Sequence, residues 1–186
     1  MKMLKFIFAF FLFTALVSCQ VPMMEPFAVI DFRSEIPVSV DVDSIDVVDQ
    51  TTRYTELPHL ETRIPIVPSY ALSKALQNRF KATGNQSGNT ISFIIQKADL
   101  IQKFQKTERW YQWNNTEYLL DYQIDVVYNQ NGINKETQQI AGWEKQALPK
   151  RSSLADKETA WKIMIDSMIQ KVADKIEADM PPTLKE

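Results

Sequence analysis

The chain has 186 residues, a formal net charge of −2, 45% hydrophobic and 24% charged residues, and four glycines. That balance belongs to a globular domain and excludes a disordered or collagen-like chain, and the slight negative charge offers no general attraction to nucleic acid or anionic lipid. One cysteine, Cys19, and one histidine, His59, exclude a disulfide within the chain, a cysteine-based metal site and a His-rich zinc site.

Met1 to Lys5 is a short basic segment, followed by the apolar run Phe6 to Phe13 that continues into Thr14-Ala15. The run is too short to act as a stable membrane span. It ends in Leu16-Val17-Ser18-Cys19, which closely resembles the bacterial lipobox: an aliphatic residue, two small or medium residues, then the Cys that receives a diacylglycerol before cleavage. On this reading residues 1–18 are a signal peptide and 19–26 are the lipidated Cys19 and a short linker. Residues 27–182 then form one domain, and 183–186 a tail. Lys2 and Lys5 leave with the signal, taking the formal charge from −2 to −4. A thioether-linked diacylglycerol plus an N-acyl (palmitate-type) chain suffices for stable anchoring. Gln20, in place of Asp after the Cys, implies by resemblance to the Gram-negative sorting rule a lipid anchor in the outer membrane, facing the periplasm, rather than the inner membrane.

The mature chain reads as follows. Phe27 to Phe32 is a short strand. Val38, Val40 and Val42 alternate with Ser39, Asp41 and Asp43, the period of a half-buried strand, and Ile45 and Val47 continue it in the opposite parity. The slip predicts a bulge near Asp43-Ser44. Asp41, Asp43, Asp46 and Asp49 lack the spacing and turn glycine of a calcium loop and read as a solvated strand face. Thr51 to Pro68 is irregular and holds Pro58, Pro65 and Pro68. Ser69 then caps a helix to about Thr83, with Gly84 as its stop.

Thr90 to Ile101 is a strand whose doubled apolar pairs suit a covered, central position. Glu117 to Asn129 sends Tyr118, Leu120, Tyr122, Ile124, Val126 and Tyr128 one way and Glu117, Asp121, Gln123 and Asp125 the other. Asn131-Gly132 is a strong hairpin turn. A simple two-residue turn there pairs Gln130 with Ile133, Leu120 with Trp143, Tyr122 with Ala141 and Val126 with Thr137, all on the apolar face. Ser152 or Ser153 caps the last helix, whose apolar stripe is Trp161, Met164, Ile165, Met168, Ile169, Val172 and Ile176, and Pro181-Pro182 ends it. The order β-β-α-β-β-β-α predicts an α+β fold, a two-layer sandwich with two helices on one face of an antiparallel or mixed sheet of about four to five strands.

The segment Glu108 to Trp113 concentrates Arg109, Trp110, Tyr111 and Trp113 without helical or strand periodicity. Three readings stay open: a satellite core cluster under the sheet, a protein contact, or a membrane-surface contact. His59 lies near Glu61 and Arg63, and the sequence carries no Gly-x-Ser-x-Gly elbow, no His-Glu-x-x-His and no Gly-rich phosphate loop. A structural or surface histidine is the expectation. Asp121 and Asp125 share a strand face and form either a carboxylate pair or, as expected, a solvent-side polar face. Asn114-Asn115-Thr116 is a formal glycosylation sequon without weight in a bacterial chain.

The run Pro58-His59-Leu60-Glu61, then Pro65-Ile66-Val67-Pro68 leading into the following helix and the Phe93-Ile94-Ile95 strand, resembles a family of small uncharacterised proteobacterial lipoproteins. That family also has a lipobox and a closing helix with a Trp near its start, here Trp161. More distantly, the layout is similar to lipopolysaccharide-assembly lipoproteins and auxiliary lipoproteins of ABC lipid transporters, a likeness of arrangement only. The expectation is a non-enzymatic binding or accessory subunit of an envelope complex, concerned with transport or outer-membrane assembly. It would be held to the membrane through Cys19, with an envelope protein as partner and with no cofactor, metal or nucleic acid. The alternative is a carrier of lipid or another small apolar ligand held between helices and sheet.

Overall fold

The computed structural model describes residues 36–84, 88–104 and 115–184. Their strands are β1 (Val38–Val40), β2 (Ser44–Asp49), β3 (Phe80–Ala82), β4 (Asn89–Phe104), β5 (Asn115–Gln130) and β6 (Ile133–Pro149). The helices are α1 (Pro68–Arg79) and α2 (Leu154–Asp179), with a short 3-10 turn at Pro182–Leu184. The expected strand at Phe27–Phe32 lies outside the described residues.

The main sheet has the order β2-β4-β5-β6, with β2 parallel to β4 and the other pairs antiparallel. Helix α1 packs over β2 and β4, and α2 over β5 and β6. Both helices therefore cover one face, because the inward residues of these strands are the apolar ones and each helix carries one apolar stripe. The α+β two-layer arrangement stands as the periodicity predicts, apart from the three-residue β3. Between the layers Leu72 and Leu76 of α1, Phe93 and Ile95 of β4, Tyr118, Leu120 and Ile124 of β5, and Ile165, Met168 and Ile176 of α2 are all fully buried. Each such side chain contributes about 1.5–3 kcal/mol by leaving water.

Three local expectations change. The expected bulge at Asp43-Ser44 is a change of sheet: β1 pairs in parallel with β3, and the chain then crosses to β2 in the main sheet. Helix α1 stops at Arg79, short of Thr83, because Phe80 turns extended and buries against Phe93, their ring centroids 5.3 Å apart. Its N-cap is Val67, with Pro68 in the first turn and no side-chain cap, and Ser69 is buried instead. A proline there forgoes a backbone donor that the first turn would leave unused.

The third change is in the hairpin. Asn131 and Gly132 both adopt positive φ, 52° and 76°, as a primed turn requires, and Gln130 pairs with Ile133. The register then shifts by one beyond Asn129, so Leu120 faces Glu144, Tyr122 faces Gly142 and Val126 faces Gln138. Trp143 and Ala141 point away from the core, and Trp143 is 62% exposed. A one-residue slip flips a whole strand face. Here it places Ile140 opposite Ile124 in the core, where the unshifted register would place Ala141 and Trp143 beneath α2.

Helix α2 begins as predicted. Ser153 accepts from the Asp156 backbone N–H at 3.1 Å, and the Asp156 carboxylate accepts from the Ser153 backbone N–H at 2.9 Å. These two bonds form a capping box with Asp in the Glu position. At the far end Leu184 packs into the core, and its carbonyl accepts from Asp41 N–H at 3.1 Å.

Candidate functional site

Cys19, Arg109, Trp110, Tyr111 and Trp113 lie outside the described residues. What the structure does place is the sheet face opposite the helices, and the polar cluster at its β4 edge.

Among the described residues neither helix covers this face, which is built by alternation. The residues of β5 on the side away from the helices, Leu119, Asp121, Gln123, Asp125 and Val127, sit between Ile94, Lys97 and Ile101 of β4 and Gln139, Ala141, Trp143 and Lys145 of β6. The face carries half-buried aliphatics and one exposed indole among polar groups that pair with one another. Lys97 Nζ donates to Asp121 Oδ2 at 2.6 Å, Lys145 Nζ lies 2.8 Å from Glu117 Oε2, and Gln96 and Gln139 donate to the two oxygens of Asp125 at 3.1 and 3.2 Å. Asp121 and Asp125 thus do not form a carboxylate pair. Each has its own partner, as the solvent-side reading expects. The hydrogen bond to Asp121 holds the Lys97 ammonium above its usual range.

At the β4 edge, β2 covers only the first half of the strand. The second half is closed by Pro58 to Leu60, with Leu60 N–H donating to Leu100 O at 2.9 Å and Gln102 N–H to Pro58 O at 2.8 Å. The irregular, proline-rich stretch therefore satisfies an edge that would otherwise be bare. Glu61 anchors it. Its Oε1 accepts from the Leu100 N–H at 2.8 Å, while its Oε2 is buried without a hydrogen-bond partner. His59 stacks on Tyr54 at 4.1 Å between centroids, and its Nδ1 stands 3.7 Å from Glu61 Oε1, beyond hydrogen-bond length. Asp99, across from Asp121, is buried, and that burial pushes its carboxyl above the usual range while Lys97 and His59 pull it back only in part. Here the Pro58–Leu60 backbone and the Glu61 carboxylate together close the β4 edge.

The alternation placed Asp121, Gln123 and Asp125 on the outward side as expected; it did not foresee that Glu117 on the same side is buried, and it missed Trp143, Glu61 and Asp99. The signal for Glu61 was its place between Leu60 and Ile64, both buried. Trp143 had no local signal, because its direction depends on the extra residue in β6. Among the described residues no group of His, Cys, Asp and Glu could hold a metal ion, and no helix is long and apolar enough to cross a membrane.

No protein-family model matches the sequence. No curated protein matches it either. Solved structures similar to this fold include rare lipoprotein B from Shewanella oneidensis, at 14% identity over 74% of this chain and 92% of that one, with a TM-score of 0.42. A minor lipoprotein from Acinetobacter baumannii is similar at 12% identity over 77% and 96%, with a TM-score of 0.43. An uncharacterized lipoprotein B from Nitrosomonas europaea is similar at 14% identity over 80% and 92%, with a TM-score of 0.45.

Proposed function

We propose that this chain is a lipid-anchored envelope lipoprotein whose domain serves as a non-enzymatic binding or accessory subunit of an envelope complex, on the periplasmic face of the outer membrane. The anchor reading rests on Leu16-Val17-Ser18-Cys19 behind its apolar run. The binding reading rests on one observation, the sheet face that neither helix covers among the described residues. Both helices close one side of the sheet, and the other side presents Ile94, Ile101, Leu119 and Val127 in a frame of internally paired charges. Paired charges do not have to be stripped of water singly when a partner docks, so such a face suits protein contact. The carrier reading is less well supported, since large side chains fill the space between helices and sheet.

Two measurements test this reading. In envelopes fed labelled palmitate, the wild-type chain is expected to take up label and Cys19→Ala to take up none; an unlabelled wild type overturns the anchor. A photo-crosslinking amino acid in place of Gln123, at the centre of the open face, is expected to capture a different envelope protein. Recovery of the free chain alone would sink the binding reading.

A further inference from the structure

Among the described residues strand β6 forms one edge of the main sheet and hydrogen-bonds along its length to β5 only. It is 17 residues long, against six for β2 at the other edge. A bare edge is a row of unpaired N–H and C=O groups that will accept another extended chain. The devices that usually blunt an edge sit at its two ends: the extra residue that shifts the register near Lys135, and Pro149. From Thr137 to Ala147 there is no proline and no bulge. Its two charges are drawn off the edge. Glu144 is held from α2 by Lys171 Nζ at 2.7 Å and Ser167 Oγ at 3.0 Å, and Lys145 reaches inward to Glu117 at 2.8 Å. At the middle of this stretch Trp143 is 62% exposed, next to the exposed Ala141.

We propose that this edge pairs with β6 of a second copy of the chain, antiparallel about a two-fold axis through Gly142, joining two four-stranded sheets into one of eight strands. The sequence of the edge is complementary to itself in that register. Trp143 faces Ala141 of the second copy, Lys145 faces Gln139, Glu144 faces Ile140, Gln146 faces Gln138 and Ala147 faces Thr137. No like charges oppose, and each indole meets a methyl group with room beside it. Glycine at the axis leaves no side chain to meet its own copy. A symmetric pair of this kind is isologous and closes at two chains. The inference goes beyond the binding reading above: the backbone edge of β6 adjoins the open face and shares Trp143 and Ala141 with it, so the two readings are told apart by the mass of the chain in solution and by the capture of a different protein at Gln123.

The test is the protein mass of the full chain, extracted from membranes in mild detergent, measured by sedimentation across a roughly hundredfold range of concentration. Twice the mass of the processed, lipidated chain that begins at Cys19 is expected. Trp143→Lys and Ala141→Lys, each of which places two new charges beside the axis, are expected to weaken association about tenfold or more. Val48→Lys, at the exposed opposite edge, leaves association unchanged. If Trp143→Lys unfolds by circular dichroism, Ala141→Lys decides. A single-chain mass for the wild type throughout, or a two-chain mass that both edge variants retain, overturns the proposal.

Discussion

At the scale of single residues, the polar cluster beside β4 places a cost where the fold needs an edge closed. Asp99 faces Asp121 across the strand pair, and only Asp121 has a lysine at hydrogen-bond distance. Burial raises the Asp99 carboxyl above its ordinary value of 3.8, ahead of the opposing pull of Lys97 and His59. A carboxyl raised in the folded state favours folding in acid, and that contribution is lost as pH rises through the folded value. Asp99→Asn is therefore expected to raise the melting temperature at pH 7, by about 2 °C or more for a chain of this size. The gain should shrink toward zero below about pH 4, where both proteins are neutral at this position. Thermal melts of the two proteins at pH 7 and pH 3.5 check it; a gain that persists in acid would point to packing instead. Glu61 differs from Asp99 because its carboxylate accepts a backbone N–H that the β4 edge would otherwise leave unpaired. Tyr128 shows burial acting on a phenol: its pKa is pushed up to about 12, with Glu136 and Asp179 adding to the shift, so it stays neutral across the range of these melts.

At the scale of elements, the hairpin and the last helix show how far local chemistry reaches. Ser153, Asp156 and the stripe from Trp161 to Ile176 specify α2, and the capping box satisfies its first turn. The expected cost of Ser153→Ala is about 1 kcal/mol, read from urea unfolding. The hairpin turn is equally local, since Asn131 and Gly132 belong to the few residue types that readily accept the positive φ it requires. The strand pairing beyond it is not local. Tyr122 lies across Gly142, and a Cβ there would stand 2.6 Å from the ring carbon Cζ and close on the hydroxyl. Gly142→Ala is expected to destabilise by about 1–3 kcal/mol through overpacking. Adding Tyr122→Phe should recover part of that loss by removing the oxygen. Equal losses in the single and double variants would show that the strain lies in the backbone.

At the scale of the whole molecule, one core carries the stability and one face is left over. Phe93 is fully buried between the layers and packs on Phe80, while Trp143 is 62% exposed on the far side of the same sheet. Chemical denaturation is expected to show Phe93→Ala losing about 3–5 kcal/mol, the cost of a large core cavity. Trp143→Ala should stay within about 0.5 kcal/mol, as a surface change does. That small value is expected at concentrations dilute enough to keep the chain single; a large loss there would show that Trp143 is buried by its own chain and would count against an edge left free for a second copy. Two tryptophans of similar appearance in the sequence thus divide by place: Trp161 packs edge-on against Tyr118 in the core, and Trp143 faces out.

The amino-acid sequence alone carries the reading of Cys19, because the lipobox is a contiguous pattern and the residue lies outside the described structure. It also determined the apolar stripe of α2, narrowed its cap to Ser152 or Ser153, and determined the alternation of β5 and the Asn131-Gly132 turn, since each depends on spacings of a few residues. Tertiary structure decided the rest. Which face Trp143 takes depends on one extra residue accommodated against β5. Where α1 ends depends on Phe80 finding Phe93, and what Pro58 to Glu61 does depends on a half of β4 that β2 leaves bare. These outcomes turn on partners distant in the chain, and a local pattern holds no information about which partner arrives or in what register.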